Sequence, residues 1–286
     1  MDNKKSKHSS PLNSPPSIAE GFPKAMQDLS RVRAKKHLGQ HFLKDENIAQ
    51  EIVNSLARTK DYKQVLEVGP GMGVLTKYLI NVPSYLTHVI EIDKESIDFL
   101  KNKFPELNNR IIAGDFLQIN LNDYFSEPFA IIGNFPYNIS SQILFKTFEH
   151  RNLIPEVVGM FQKEVAQRIA ASPKNKTYGI LSVFMQAFYR VEYLFTVNED
   201  VFNPPPKVKS AVIRLTRNTV ASLDCDEKLF IRIVKAGFNQ RRKTLRNSLK
   251  QFPLKTEFIN HTFFTQRAEQ LSVDEFVELT NMIKTE

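Results

Sequence analysis

The chain has 286 residues, 42% hydrophobic and 24% charged, enough to bury a core in one large domain with a smaller companion. A formal net charge of +8 and a pI near 9.4 suit a polyanionic partner. The single cysteine, Cys225, excludes an internal disulfide framework and a cysteine metal cluster, and no apolar run approaches the roughly 18 residues of a membrane span.

Residues 1–30 are rich in Ser, Pro, Asn and Lys and read as a disordered basic tail. Polar residues stand where a signal peptide needs its apolar stretch, so the expected location is cytoplasmic. From Asn47 a helical pattern (Ile48, Ile52, Val53, Leu56) leads to the strand QVLEVG, a glycine loop and a helix through Leu79. The strand THVIEID, a helix over 94–103, and the strands RIIAGD and FAIIGN follow. A helix over 140–150 and the strand EVVGMF come next. RVEYLFTV and SAVIRLT flank a proline cluster and read as an antiparallel hairpin at the sheet edge. Seven short β-rich runs alternating with helical patterns predict an α/β fold, a mostly parallel sheet covered on both faces. After residue 217 the strand signals stop and the pattern is helical.

LEVGPGMG sets Gly69, Gly71 and Gly73 between a strand and a helix, where the backbone approaches a ligand closely. Twenty-two residues after Gly69, Glu91 ends the next strand, placed for a ribose. NAD and S-adenosylmethionine enzymes share this much. A dinucleotide fingerprint needs glycine where Val74 stands, and Glu67 ahead of the loop favours S-adenosylmethionine. AGD then brings Asp115 to the end of the third strand as an acceptor for an adenine amino group.

In GNFPYN, Asn134 lies at the C-terminal end of the fourth strand, the edge where open α/β sheets bind ligands. A base's exocyclic amine is a poor nucleophile, because its lone pair is delocalised into the ring. Methyl transfer to it needs acceptors for its N–H protons, which the Asn134 side-chain oxygen and the Phe135 carbonyl supply. Pro136 stiffens the loop and Tyr137 offers a ring for an extruded base. No ionised base is required, so catalysis is mostly positioning.

These motifs, with KKHLGQHFL (35–43), FQKEVAQRI (161–169), FNPPPKVKSAV (202–212) and FNQRRKTLRNSL (238–249), resemble the small-subunit ribosomal RNA adenine dimethyltransferase family in order over about residues 31–286. The resemblance implies a class I, Rossmann-like methyltransferase domain over 31–217 and a small all-helical RNA-binding domain over 218–286. It implies dimethylation at N6 of two adjacent adenines near the 3′ end of small-subunit RNA in immature small subunits. S-Adenosyl-L-methionine would be consumed, S-adenosyl-L-homocysteine released, and no metal used. It also implies cofactor contacts from His41, Leu43, Gly69, Gly71, Glu91, Asp115 and Asn134. Many relatives carry Asn where His41 stands, and a neutral imidazole can supply the same donor. Phe202 would be a second stacking ring beside Tyr137.

From Lys228 to Lys255 there are nine Lys/Arg and no Asp/Glu. On a continuous helix Arg242, Arg246 and Lys250 share one face, with Phe238, Leu245 and Leu249 on a separate apolar stripe. With Arg241 and Lys243 they form the expected RNA surface, to which Lys163 and Arg168 add. Two rivals remain within the resemblance: a large-subunit adenine methyltransferase that confers antibiotic resistance, and relatives that bind nucleic acid with little reliance on catalysis. A monomer is the default.

Overall fold

A computed structural model describes residues 32, 34–57 and 61–284; the expected tail over 1–30 lies outside the described residues. In chain order the elements are β1 (Phe42–Leu43), α1 (Glu46–Asn54), β2 (Gln64–Val68), α2 (Thr76–Leu79), β3 (Leu86–Glu91), α3 (Lys94–Lys103), β4 (Ile111–Ala113), β5 (Phe129–Asn134) and α4 (Ser140–Glu149). Then come β6 (Glu156–Gln162), α5 (Lys163–Ala170), α6 (Ile180–Phe188), β7 (Tyr189–Val197), β8 (Phe202–Asn203), β9 (Ser210–Arg217), α7 (Glu227–Asn239), α8 (Leu245–Ser248) and α9 (Val273–Asn281). Short 3-10 turns link several of them.

Seven strands make one sheet in the order β4-β3-β2-β5-β6-β9-β7. All neighbours from β4 to β6 are parallel, and β9 runs antiparallel to both β6 and β7. The expected hairpin therefore forms, with β9 inserted between β6 and β7. Alternate residues of β2 and β5 serve opposite faces: Leu66, Val68 and Ile131 join one apolar cluster, and Val65, Ala130 and Ile132 the other. Chain order moves outward from β2 through β3 to β4, then returns to β5 on β2's other side. That reversal opens a crevice at the C-terminal ends of β2 and β5.

Local chemistry sets the helix ends. Asp45 Oδ1 accepts from the Asn47 and Ile48 amides at 2.9 and 3.1 Å, starting α1. A Ser272–Glu275 capping box starts α9. The sequence reading passes over α6 for a physical reason. Seven of its nine residues are buried, and so short an apolar run cannot be told from a buried strand by its pattern.

The helices after residue 217 share the larger apolar cluster. Phe230, Ile233, Val234, Leu279 and Ile283 belong to it along with Leu66 and Ile131. The Phe184 and Phe230 rings lie 6.2 Å apart, and Arg151 after α4 pairs with Glu227 at 2.6 Å. One expectation is corrected here: residues 238–250 are not a single helix. α7 ends at Asn239, the Lys243 amide closes a turn on the Gln240 carbonyl at 2.8 Å, and extended Thr244 precedes the short α8. Arg242 lies in the turn, Arg246 on α8 and Lys250 beyond it, so helical spacing does not align them. Leu245 and Leu249 are nonetheless buried.

Candidate active site

The crevice holds a cavity of about 260 Å³. His41, Leu43, Gly69, Gly71, Glu91, Asp115, Asn134, Phe135, Pro136 and Tyr137 all line it. Four segments distant in sequence supply its walls: residues 38–43, the glycine loop after β2, the ends of β3 and β4, and the loop after β5.

Gly71 shows why the loop is glycine-rich. Its φ is +55°, and a Cβ there would lie 2.9 Å from the Phe42 ring. Its amide donates to Glu91 Oε2 at 3.0 Å, while the Ile92 and Asp93 amides donate to Oε1, each at 2.9 Å. Burial pushes the Glu91 carboxyl up from the usual range, and these three donors pull it back. The carboxylate is thus fixed at the mouth of β3, beside Ile92, an apolar side chain left 52% exposed on the cavity wall. Behind it, burial pushes Glu67 up to about 8, with Thr76 Oγ1 donating to it at 2.6 Å.

Residues 35–44 strap across the site. Lys35 pairs with Asp93 and with Glu95, the latter at 3.2 Å. β1 pairs antiparallel with β8, matching Leu43 to Phe202. His41 Nδ1 is 2.8 Å from the Pro204 carbonyl; since a carbonyl only accepts, Nδ1 carries the hydrogen. The donor expected of a neutral His41 is therefore spent on Pro204, leaving Nε2 an acceptor.

Asn134 Nδ2 donates to the His41 carbonyl at 2.9 Å, which orients the carboxamide. Phe135 turns the other way. Its ring is 1% exposed, lies over Gly133 and Gly159, and meets Phe161 edge-on at 5.2 Å. A Cβ on Gly159 would come within 2.2 Å of that ring. The ring anchors the loop and leaves its main chain at the cavity. Tyr137 is half-buried, with its hydroxyl 2.5 Å from Ser210 Oγ and its ring 5.4 Å from that of His41.

Phe202 departs from its expected place. It is 1% exposed, packs in the cluster with Leu43, Ile52 and Val53, and does not line the cavity. The β1–β8 pairing turns its ring into the core, where its apolar area is removed from water. Ser210 and Lys146 were missed. The KVKS stretch carries Ser210, but nothing local links it to Tyr137, 73 residues away.

On the basic region, Arg242, Lys243, Arg246 and Lys250 are exposed. Arg241 is engaged: its Nε donates to Glu269 at 2.6 Å and its Nη2 to the Lys176 carbonyl. Arg246 Nη2 donates to the Ile259 carbonyl at 2.7 Å, and Arg168 pairs with Glu164 at 3.0 Å. Among the described residues, no group of three His, Cys, Asp or Glu side chains converges as a metal site, and no helix is long and apolar enough to cross a membrane.

Residues 31–285 match the family model described as ribosomal RNA adenine dimethylase. The chain is 61% identical over 255 residues to ribosomal RNA small subunit methyltransferase A of Cytophaga hutchinsonii, covering 89% of this chain and 99% of that one. It is 58% identical over 259 residues to the protein of that name from Flavobacterium johnsoniae, covering 90% and 98%. Among solved structures, a dimethyladenosine transferase from Plasmodium falciparum aligns with TM-score 0.69 and 25% identity over 85% of this chain and 99% of its own. The 23S rRNA methyltransferase ErmE aligns with TM-score 0.61 and 25% identity over 84% and 99%.

Proposed function

The chain belongs to the ribosomal RNA adenine dimethylase family, and from that premise we propose that it dimethylates N6 of two adjacent adenines near the 3′ end of small-subunit RNA, on immature small subunits. The high identity to small-subunit methyltransferases over nearly their whole length supports the substrate. The observation that carries the chemistry is the oriented Asn134 carboxamide at a cavity that also presents Glu91, Asp115 and Tyr137.

The residues present suit S-adenosylmethionine, which supplies an electrophilic methyl group when bound. Glu91, anchored by three amides, takes the ribose hydroxyls. Asp115 has one oxygen on the Leu117 amide at 2.9 Å and its other oxygen for the adenine amino group. Gly69 and Gly71 let the chain pass close to the ligand, with Leu43 on the apolar wall. Asn134 Oδ1 and the Phe135 carbonyl accept from the target N6–H, holding the amine in line and favouring its rehybridisation. Tyr137 stacks on the base, and Pro136 keeps the loop stiff. After the first transfer the amine has one N–H left and still has an acceptor for it.

Arg242, Lys243, Arg246 and Lys250 present cations to phosphates, whereas Arg241 serves the structure through Glu269. We read residues 218–286 as the RNA-binding part, and the protein as a cytoplasmic monomer. The test supplies labelled S-adenosylmethionine with immature small subunits or isolated large-subunit RNA and maps the label. Two neighbouring N6,N6-dimethyladenines near the small-subunit 3′ end are expected. Label on large-subunit RNA alone would overturn the substrate assignment.

A further inference from the structure

Lys146 is a buried cation whose partners are main-chain carbonyls. It lies on α4, is 8% exposed, and donates to the carbonyls of Phe116, at 2.6 Å, and Ile119. Its ammonium also sits 5.2 Å from the centre of the Phe116 ring. Burying an ammonium is costly, and desolvation pulls Lys146 below the ordinary lysine range. An apolar side chain of similar reach would fill the space without that penalty. What the ammonium adds is a pair of donors for two inward carbonyls.

Those carbonyls belong to the turn that carries Asp115. The Asp115 carbonyl accepts from the Gln118 and Ile119 amides at 2.9 and 3.1 Å, and its carboxylate from the Leu117 amide. The turn is thus a compact unit, seated in the core by the Phe116 ring and tied to α4 by the two carbonyl bonds of Lys146. α4 begins at Ser140, directly after the Asn134–Ile139 loop. One side chain therefore joins the turn at one end of the cavity to the helix that extends the acceptor loop at the other.

We propose that Lys146 is a positioning residue for the cofactor, holding the turn 115–119 so that Asp115 faces the adenine amino group. The proposal rests on the reading of Asp115 given above. Its mark is chemical. Losing Lys146 should weaken recognition of the 6-amino group in particular, whereas general loosening of the site would weaken every nucleoside alike.

The test is calorimetric titration of the full-length protein with S-adenosylhomocysteine and with S-inosylhomocysteine, whose 6-amino group is replaced by an oxygen. The unaltered protein is expected to prefer the adenosyl compound. Lys146→Met should weaken that compound by about 10-fold while changing the inosyl compound by less than about 2-fold. Hydrogen exchange at the Leu117, Gln118 and Ile119 amides should quicken in the same variant. Lys146→Gln keeps a neutral donor and should show the same selective loss to a smaller degree, which carries the test if Lys146→Met does not fold. Equal weakening of both compounds, or unchanged preference in both variants, would overturn the role of Lys146 and leave Asp115 standing. Equal affinity of the unaltered protein for the two compounds would overturn the Asp115 reading and this proposal with it.

Discussion

Asn134 reaches across 93 residues of sequence to donate its Nδ2 to the His41 carbonyl at 2.9 Å. A carbonyl cannot donate, so the carboxamide has one orientation, with Oδ1 left free to accept. Asn134→Ala is expected to lower single-turnover methyl transfer by about 100-fold or more while sparing RNA binding. Asn134→Asp should be no better, since it sets a carboxylate oxygen against that carbonyl. Near-normal transfer by the Asp variant would show that the contact does not orient the group.

Tyr137 and Ser210 meet at 2.5 Å through their hydroxyls. If that bond holds the ring in place for the base, Tyr137→Phe and Ser210→Ala should each slow transfer by roughly 3- to 10-fold. The double variant should be no slower than the worse single one. Additive losses would mean that the two residues act independently.

Glu67 predicts how stability of the cofactor-free protein varies with pH. Its carboxyl titrates at about 8 when folded, against the ordinary 4.5, because burial disfavours the charge. Between those values the folded state holds a proton that the unfolded state has lost. Its contribution is therefore present below about pH 4.5 and falls as pH rises, by at most about 1.4 kcal/mol per unit, until about pH 8. Denaturation midpoints of Glu67→Gln should fall less between about pH 5 and about pH 8 than those of the unaltered protein. Parallel pH profiles would contradict the assignment.

Gly71 and Gly73 share a loop, but different neighbours meet their open side. At Gly73, with φ +77°, a Cβ would lie 2.3 Å from the Phe104 ring in a packed cluster; at Gly71 it would press on Phe42 of the strap. Gly73→Ala should cost about 2 kcal/mol or more of stability. Gly71→Ala should chiefly weaken S-adenosylhomocysteine binding. The check is thermal unfolding beside calorimetry for both variants, and swapped effects would refute the distinction.

Adjacent arginines separate phosphate contact from structural pairing. Arg242→Ala should weaken RNA binding and reduce the salt slope of the binding constant by roughly 1. Arg241→Ala removes the Glu269 partner, and with its side chain 37% exposed it should cost about 1 kcal/mol of stability or less. Equal salt slopes for Arg242→Ala and the unaltered protein would return Arg242 to the plain solvated surface.

The sheet and the two loops at its mouth were legible because their signals are local. QVLEV is a short β-rich run, three glycines lie in the loop after it, and Asn134 is the last residue of β5. Residue type and strand position together identify the chemistry such a loop can do. α6 was invisible because ILSVFMQAF is a short, mostly buried apolar run that reads equally as a strand. The break between α7 and α8 was hidden because Leu245 and Leu249 suit a helical stripe as well as a bent chain.

What the sequence by itself determined was the parallel sheet, the glycine loop after β2 and the place of Asn134-Phe135-Pro136-Tyr137 at the mouth of β5. Only the tertiary structure decided which atoms of those residues face the cavity. Phe202 was free to be a stacking ring until pairing of β1 with β8 turned it into the core. The partners that set the others lie far along the chain: His41 for Asn134, Ser210 for Tyr137, and Lys146 for the turn of Asp115. Hydrogen bonds over such separations form only once packing has placed both partners, so no local pattern records them.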